Sequence, residues 1–151
     1  MRAAQTIPRR RPLSSELNAV IRPIKDAAAR IGVRSGRFGL YDFLEAIYRV
    51  YIDWRRSKTA KRSARAMASQ LALVHRKGMS PIRVLIEATL PDADFKQKSR
   101  WVRALEYVHS EDVSPLRFRR FIGGHGGVTG CAHLAVQSGR KRRRPGGDWN
   151  D

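Results

Sequence analysis

The stretch from Leu40 to Lys77 contains neither proline nor glycine and is long enough for about ten turns of α-helix at 3.6 residues per turn. Apolar residues recur along it at spacings of four and three, which places them on one helical face. In the first half these are Leu40, Leu44, Ile47, Tyr51 and Trp54, widened by Phe43, Ala46 and Val50, and in the second half Ala60, Ala64, Met67, Leu71 and Val74. The pattern predicts one long helix, or a helical hairpin broken between Ser57 and Thr59.

The rest of the chain also reads as helical, and no alternating β pattern occurs. Ser80-Pro81 and Ser114-Pro115 are start signals, and Asp92 or Asp94 can cap a helix between them. We therefore predict an all-α fold of five to six helices, one of them long, basic and possibly split, with disordered basic N- and C-terminal tails. The predicted ranges are 14–31, 40–77, 81–89, 94–109, 115–123 and 128–137.

Charge is the strongest functional signal. The 151 residues include 31 Lys and Arg against 13 Asp and Glu, a formal net charge of +18. A folded chain with this excess repels itself unless an anionic partner or counterions compensate. Nucleic acid is the commonest such partner, because neutralised phosphates release condensed counterions.

The positive charge is uneven along the chain and divides it into four regions. Residues 1–77 carry 18 basic and five acidic residues, residues 80–139 carry eight and six, and residues 140–151 carry five and two. We predict a disordered basic arm at 1–13, a basic helical region at 14–78, a near-neutral helical lobe at 79–139 and a disordered basic tail at 140–151.

The middle of the long helical stretch, residues 55–65, reads R-R-S-K-T-A-K-R-S-A-R and has no acid. We predict that its cations contact phosphates, helped by the two tails. The predicted contact residues are Arg55, Arg56, Lys58, Lys61, Arg62 and Arg65, with Arg9, Arg10 and Arg11 in the arm and Arg140, Lys141, Arg142, Arg143 and Arg144 in the tail.

Aromatic residues are interleaved with these cations and could stack on bases, although aromatics at helical spacing are more often core. Tyr48 is the one expected to point away from the core and to be exposed. The segment 115–137 resembles a helix-turn-helix pattern, yet its second helix offers only Thr129, His133 and Gln137 for reading bases. Its small residues favour close helix packing.

No pattern predicts a reaction. His125, Cys131 and His133 are metal-ligand types, but their spacing matches no zinc arrangement that we can justify. The single cysteine excludes an intrachain disulfide, no apolar run is long enough to span a membrane, and no secretory signal is expected. We predict no cofactor, metal or catalytic residue.

The sequence thus predicts a non-enzymatic nucleic-acid-binding protein with an accessory or regulatory role, in which DNA is favoured over RNA and contacts are mainly electrostatic. The expected location is the cytoplasm, at the nucleoid in a bacterium, or the nucleus in a eukaryote. Three alternatives stay open: an adaptor that docks a protein partner through the 79–139 lobe, an RNA-binding component, and a peripheral membrane binder that uses helix 40–58. The chain could also form a homodimer.

Overall fold

The computed structural model of the protein describes residues 14–31 and 38–143, with side chains described as far as Gly139. The basic arm predicted at 1–13 lies outside these residues, as do residues 144–151 of the predicted tail.

The described chain forms helices and no strand, which confirms the all-α class. Its α-helices are α1 (Ser15–Ala29), α2 (Phe38–Arg56), α3 (Ala60–Gln70), α4 (Pro81–Thr89), α5 (Phe95–Ser110), α6 (Phe118–Gly124) and α7 (Gly127–Arg143). A single 3₁₀ turn, Pro115–Arg117, precedes α6. These seven α-helices exceed the predicted five to six.

The long basic helix is wrong as a single element, because the chain divides into α2 and α3 at the break predicted between Ser57 and Thr59. α2 ends at Arg56, and two residues later Lys58 adopts a left-handed conformation with φ 57°. The amide of Thr59 then bonds to the carbonyl of Trp54, and that of Lys58 to Arg55. This pair of bonds is the Schellman motif, which closes a helix and turns the chain away.

The second half of the stretch also stops earlier than predicted. α3 ends at Gln70, seven residues before Lys77, in a second Schellman turn with Ala72 at φ 52°. The amide of Leu73 bonds to Ala68, which satisfies a carbonyl at the end of the helix. Val74, predicted on the buried face, is therefore not helical and is 74% exposed.

Helix starts agree with the sequence signals. The side chains of Ser14, Ser80 and Asp94 each accept hydrogen bonds from amides in the first turn of α1, α4 and α5. Such caps satisfy amide donors that a helix leaves unpaired. The predicted boundaries at 81 and 94 hold because these signals are local.

One hydrophobic core draws on both the 14–78 region and the 79–139 lobe. α2 contributes its buried face, including Phe43, Leu44 and Ile47, and α4 and α5 contribute Leu85 and Leu105. α5 and α7 pack against each other extensively. The aromatic residues of α2 other than the exposed Phe38 belong to this core, as their helical spacing indicated.

α7 is longer than predicted and packs through small residues. It extends to Arg143, beyond the boundary at 140 predicted for the tail. Near its start, a Cβ added to Gly130 would come within 2.1 Å of the carbonyl oxygen of His125. Cys131 and Ala132 are buried beside it. This helix face therefore contributes to packing.

Candidate nucleic-acid interface

The turn between α2 and α3 brings together the cations predicted from residues 55–65. Two lie at the end of α2, one in the turn and three on the exposed side of α3. All six are exposed: Arg55, Arg56, Lys58, Lys61, Arg62 and Arg65. We call these six residues the basic turn.

The arrangement on α3 follows from helical geometry. At 100° per residue, Lys61, Arg62 and Arg65 fall within an arc of about 100°. The opposite side of the helix is buried through Ala60, Ala64, Met67 and Ala68. The small alanines hold α3 close to the core, so its cations stand out from the surface on one side.

In the part of the chain that the structure describes, internal carboxylates leave the basic turn unpaired. Within the described residues, no ion pair involves any of its six side chains. Between Asp53 and Glu87 the chain has no acidic residue at all. The cations are therefore available to an external anion.

The start of α3 is a feature that the sequence prediction missed. Thr59 makes no side-chain cap, and the first turn of α3 carries no acidic residue. Instead it carries Lys61 and Arg62, although the partial positive charge of a helix N-terminus disfavours nearby cations. A phosphate there would meet unpaired amides and two side-chain charges together. Thr59 is a residue type that often caps helices, so the sequence contains no signal that this helix start would lack a cap.

A cavity of about 340 Å³ adjoins the α2 end of the basic turn. Arg55 and Arg56 line it together with His109, Asp112 and Pro115. Burial, and then the charge of Arg55, lowers the pKa of His109, which favours the uncharged imidazole. The Asp112 carboxylate makes this cavity less suited to an anion than the open face of α3.

Tyr48 is not an exposed stacking residue, and this prediction is wrong. Its side chain is fully buried, its ring stacks on Phe118 with 5.1 Å between centroids, and its hydroxyl donates to the carbonyl of Val113. Burial raises the pKa of Tyr48 to about 12, with the Asp112 charge as a smaller cause. The basic turn therefore lacks this aromatic platform for unstacked bases.

The predicted basic arm lies outside the described residues, whereas part of the predicted basic tail lies within them. Arg9, Arg10, Arg11 and Arg144 lie outside the described residues. Residues 140–143 continue the backbone of α7, so the last predicted cations before Arg144 extend from a helix.

The helix-turn-helix-like segment corresponds to α6 and α7. Thr129, His133 and Gln137 are exposed, and the side chains of His133 and Gln137 lie 3.1 Å apart within hydrogen-bond distance. Arg119 on α6 is held by the carboxylates of Asp42 and Glu45 on α2. Those contacts occupy Arg119 and fasten α6 to α2, so this arginine is less available to a phosphate than the basic turn.

The metal-ligand types near α7 do not assemble into a site. Within the part of the chain that the structure describes, no three His, Cys, Asp or Glu side chains come close enough to hold a metal ion. Burial raises the pKa of the Cys131 thiol to about 11, so it stays protonated at neutral pH. Among the described helices, none is long and apolar enough to cross a bilayer.

Comparisons with protein-family models, with curated proteins and with solved structures found no match to this chain.

Proposed function

We propose that the protein binds nucleic acid without catalysing a reaction, and that the basic turn contacts the phosphate backbone of duplex DNA. Its role is accessory or regulatory, in the cytoplasm at the nucleoid or in a nucleus. The observation that carries the proposal is the set of six exposed cations that no carboxylate in the described residues pairs.

The burial of the α2 aromatics closest in sequence to the basic turn favours a duplex over a single strand. Proteins that bind single strands without sequence preference combine a basic groove with exposed aromatic rings. Here Tyr48, Tyr51 and Trp54 are buried. The basic turn offers charge and helical amides, which suit the regular phosphates of a duplex. As between the two nucleic acids, DNA stays the favoured partner and RNA the alternative.

The same burial argues against the membrane alternative. An interfacial helix binds lipid by inserting an apolar face into the headgroup region. In α2 that face, including Leu44, Ile47 and Tyr51, packs into the core. The side of α2 that faces solvent is mainly polar.

Salt dependence tests the proposed mechanism. If about six phosphates are neutralised, the logarithm of the binding constant should fall against the logarithm of salt concentration with a slope of about −5. Fluorescence anisotropy on labelled duplex DNA, duplex RNA and single strands across a salt series measures it. A slope shallower than about −2 contradicts multiple phosphate contacts.

A matched pair of triple variants tests whether the phosphate contacts lie at the basic turn. Replacing Lys61, Arg62 and Arg65 by alanine should weaken binding to all duplex sequences alike and make the slope shallower by about 3. The control replaces Lys96, Arg100 and Arg120, which are exposed outside the basic turn, and removes the same charge. Equal losses in both variants would show that net charge, and not the basic turn, drives binding.

A further inference from the structure

A second surface, whose lining is separate from the basic turn, forms an open groove of about 810 Å³. The segment 72–80 makes one side, and α4 and α5 make the other. The larger apolar side chains that line it are Leu73, Val74, Met79, Phe95 and Val102. None of the six residues of the basic turn lines it.

Two of the apolar side chains in this groove are unusually exposed. Val74 is 74% exposed and Phe95 is 71% exposed. Only Phe38 and Leu116 join them as large exposed hydrophobic residues in the described chain. Half of the described chain's exposed large apolar residues therefore line one groove, and such concentration marks surfaces that another molecule covers.

The rim of the groove is positively charged. Its cations are Arg76, Lys77, Arg83 and Arg103. Glu87 is the single acidic residue in the lining, and its carboxylate accepts from Arg83 Nε at 3.0 Å and from the buried Lys98 Nζ at 2.9 Å. Because Arg83 and Lys98 neutralise Glu87, the positive charge that the groove presents to an occupant is that of Arg76, Lys77 and Arg103.

Phe95 is held in place without being covered. The guanidinium of Arg83 lies over the ring, 4.7 Å from its centroid, and donates to the hydroxyl of Ser99 at 3.2 Å. The cation contacts one side of the ring and leaves most of it exposed to solvent. A fixed, exposed aromatic ring is a ready contact for an apolar side chain.

We propose that this groove docks an acidic amphipathic segment of a partner protein. Apolar side chains of that segment cover Val74 and Phe95, while its carboxylates face the cations of the rim. Such a segment complements both properties of the groove, in the manner of helix-in-groove recognition. The floor of aliphatic side chains distinguishes it from a nucleic-acid site, which would need more rings or polar groups to contact bases.

The test uses a synthetic helical peptide with Leu and Trp on one face and Asp and Glu on the other. Two control peptides carry Lys at the acidic positions or Gln at the apolar positions. Fluorescence anisotropy should show binding of the acidic amphipathic peptide to the full chain and at least about tenfold weaker binding of both controls. Backbone NMR shifts should map the contact to 72–80, α4 and α5.

Exposed positions provide variants that leave the core intact. Val74→Asp and Phe95→Ser should each weaken peptide binding about tenfold or more, and Arg103→Glu should do so with a loss of salt dependence. The matched controls are Leu116→Ser, which removes an exposed apolar residue elsewhere, and Arg120→Glu. Both should bind the peptide as the unaltered chain does.

Three results would overturn the proposal. Equal binding of the Gln-containing peptide would reduce the contact to charge alone. If a short DNA duplex displaces the peptide and shifts the same NMR signals, the groove is a nucleic-acid site. If deleting residues 145–151, which include Asp148 and Trp149, both shifts the groove signals and tightens peptide binding about tenfold, the chain's own segment is the occupant.

Discussion

Three residues with left-handed backbone conformations decide where helices of this protein end. Lys58, Ala72 and Asp112 have φ values of 57°, 52° and 55°. Each is followed by a residue whose amide bonds to the carbonyl five residues earlier in the Schellman pattern, at Thr59, Leu73 and Val113. Glycine usually occupies this position because a Cβ costs roughly 1–2 kcal/mol there. The sequence therefore carries no glycine signal at these ends.

Glycine at position 72 should stabilise the protein. Ala72→Gly relieves the left-handed strain at the end of α3, and the gain in the free energy of unfolding should be about 0.5–1 kcal/mol after the added unfolded-state entropy. The control Ala66→Gly, inside α3, should lose about 1 kcal/mol. Urea titrations followed by circular dichroism measure both. Destabilisation of similar size in both variants would show that residue 72 is helical in solution.

At the scale of elements, α4 and α5 could be predicted closely at both ends from the sequence, whereas the end of α3 at Gln70 could not. Ser80 and Asp94 cap α4 and α5 through amides two or three residues away, so the signal is local. The sequence around Lys58 indicated a helix break only weakly, and the sequence around Ala72 contained no signal that α3 would end there. Tyr48 was also beyond local reasoning, because its acceptor on Val113 is 65 residues away.

The packing of α7 against the chain that precedes it requires glycine at position 130. A methyl group at Gly130 would meet the His125 carbonyl at 2.1 Å, a backbone atom that cannot rotate away. Gly130→Ala should therefore destabilise the protein by about 1–3 kcal/mol. Gly123→Ala on α6 meets nothing within 4 Å and should gain about 0.5–1 kcal/mol. Thermal unfolding distinguishes them, and a neutral Gly130→Ala would contradict the close approach.

At the scale of the whole molecule, the sequence predicted the charge but not its availability. Arg119 and the basic turn look equally cationic in the sequence. Only the fold shows that Arg119 is held by Asp42 and Glu45, which are 77 and 74 residues away, whereas the basic turn has no such pairs in the described chain. Pairing between distant residues depends on tertiary packing, so no local pattern could assign it.

Because the cations of the basic turn repel one another, the free protein should become more stable as salt is added. Screening reduces repulsion between exposed charges, and each kcal/mol regained raises the melting temperature by roughly 2–4 °C for a chain of this size. The dependence of the melting temperature on salt should be reduced more by alanine at Lys61, Arg62 and Arg65 than by alanine at the control positions Lys96, Arg100 and Arg120. Differential scanning fluorimetry in sodium chloride measures it, and a melting temperature that falls with salt would contradict the prediction.

The burial of Cys131 has a practical consequence. The only thiol of the chain lies inside the core and stays protonated, and thiolate is the form that reacts with maleimides and disulfides. A cysteine introduced at an exposed site such as Ser69 would therefore be the one that takes up a spin label or fluorophore. Distances from α3 to a bound oligonucleotide can then be measured without first replacing the native sulfur.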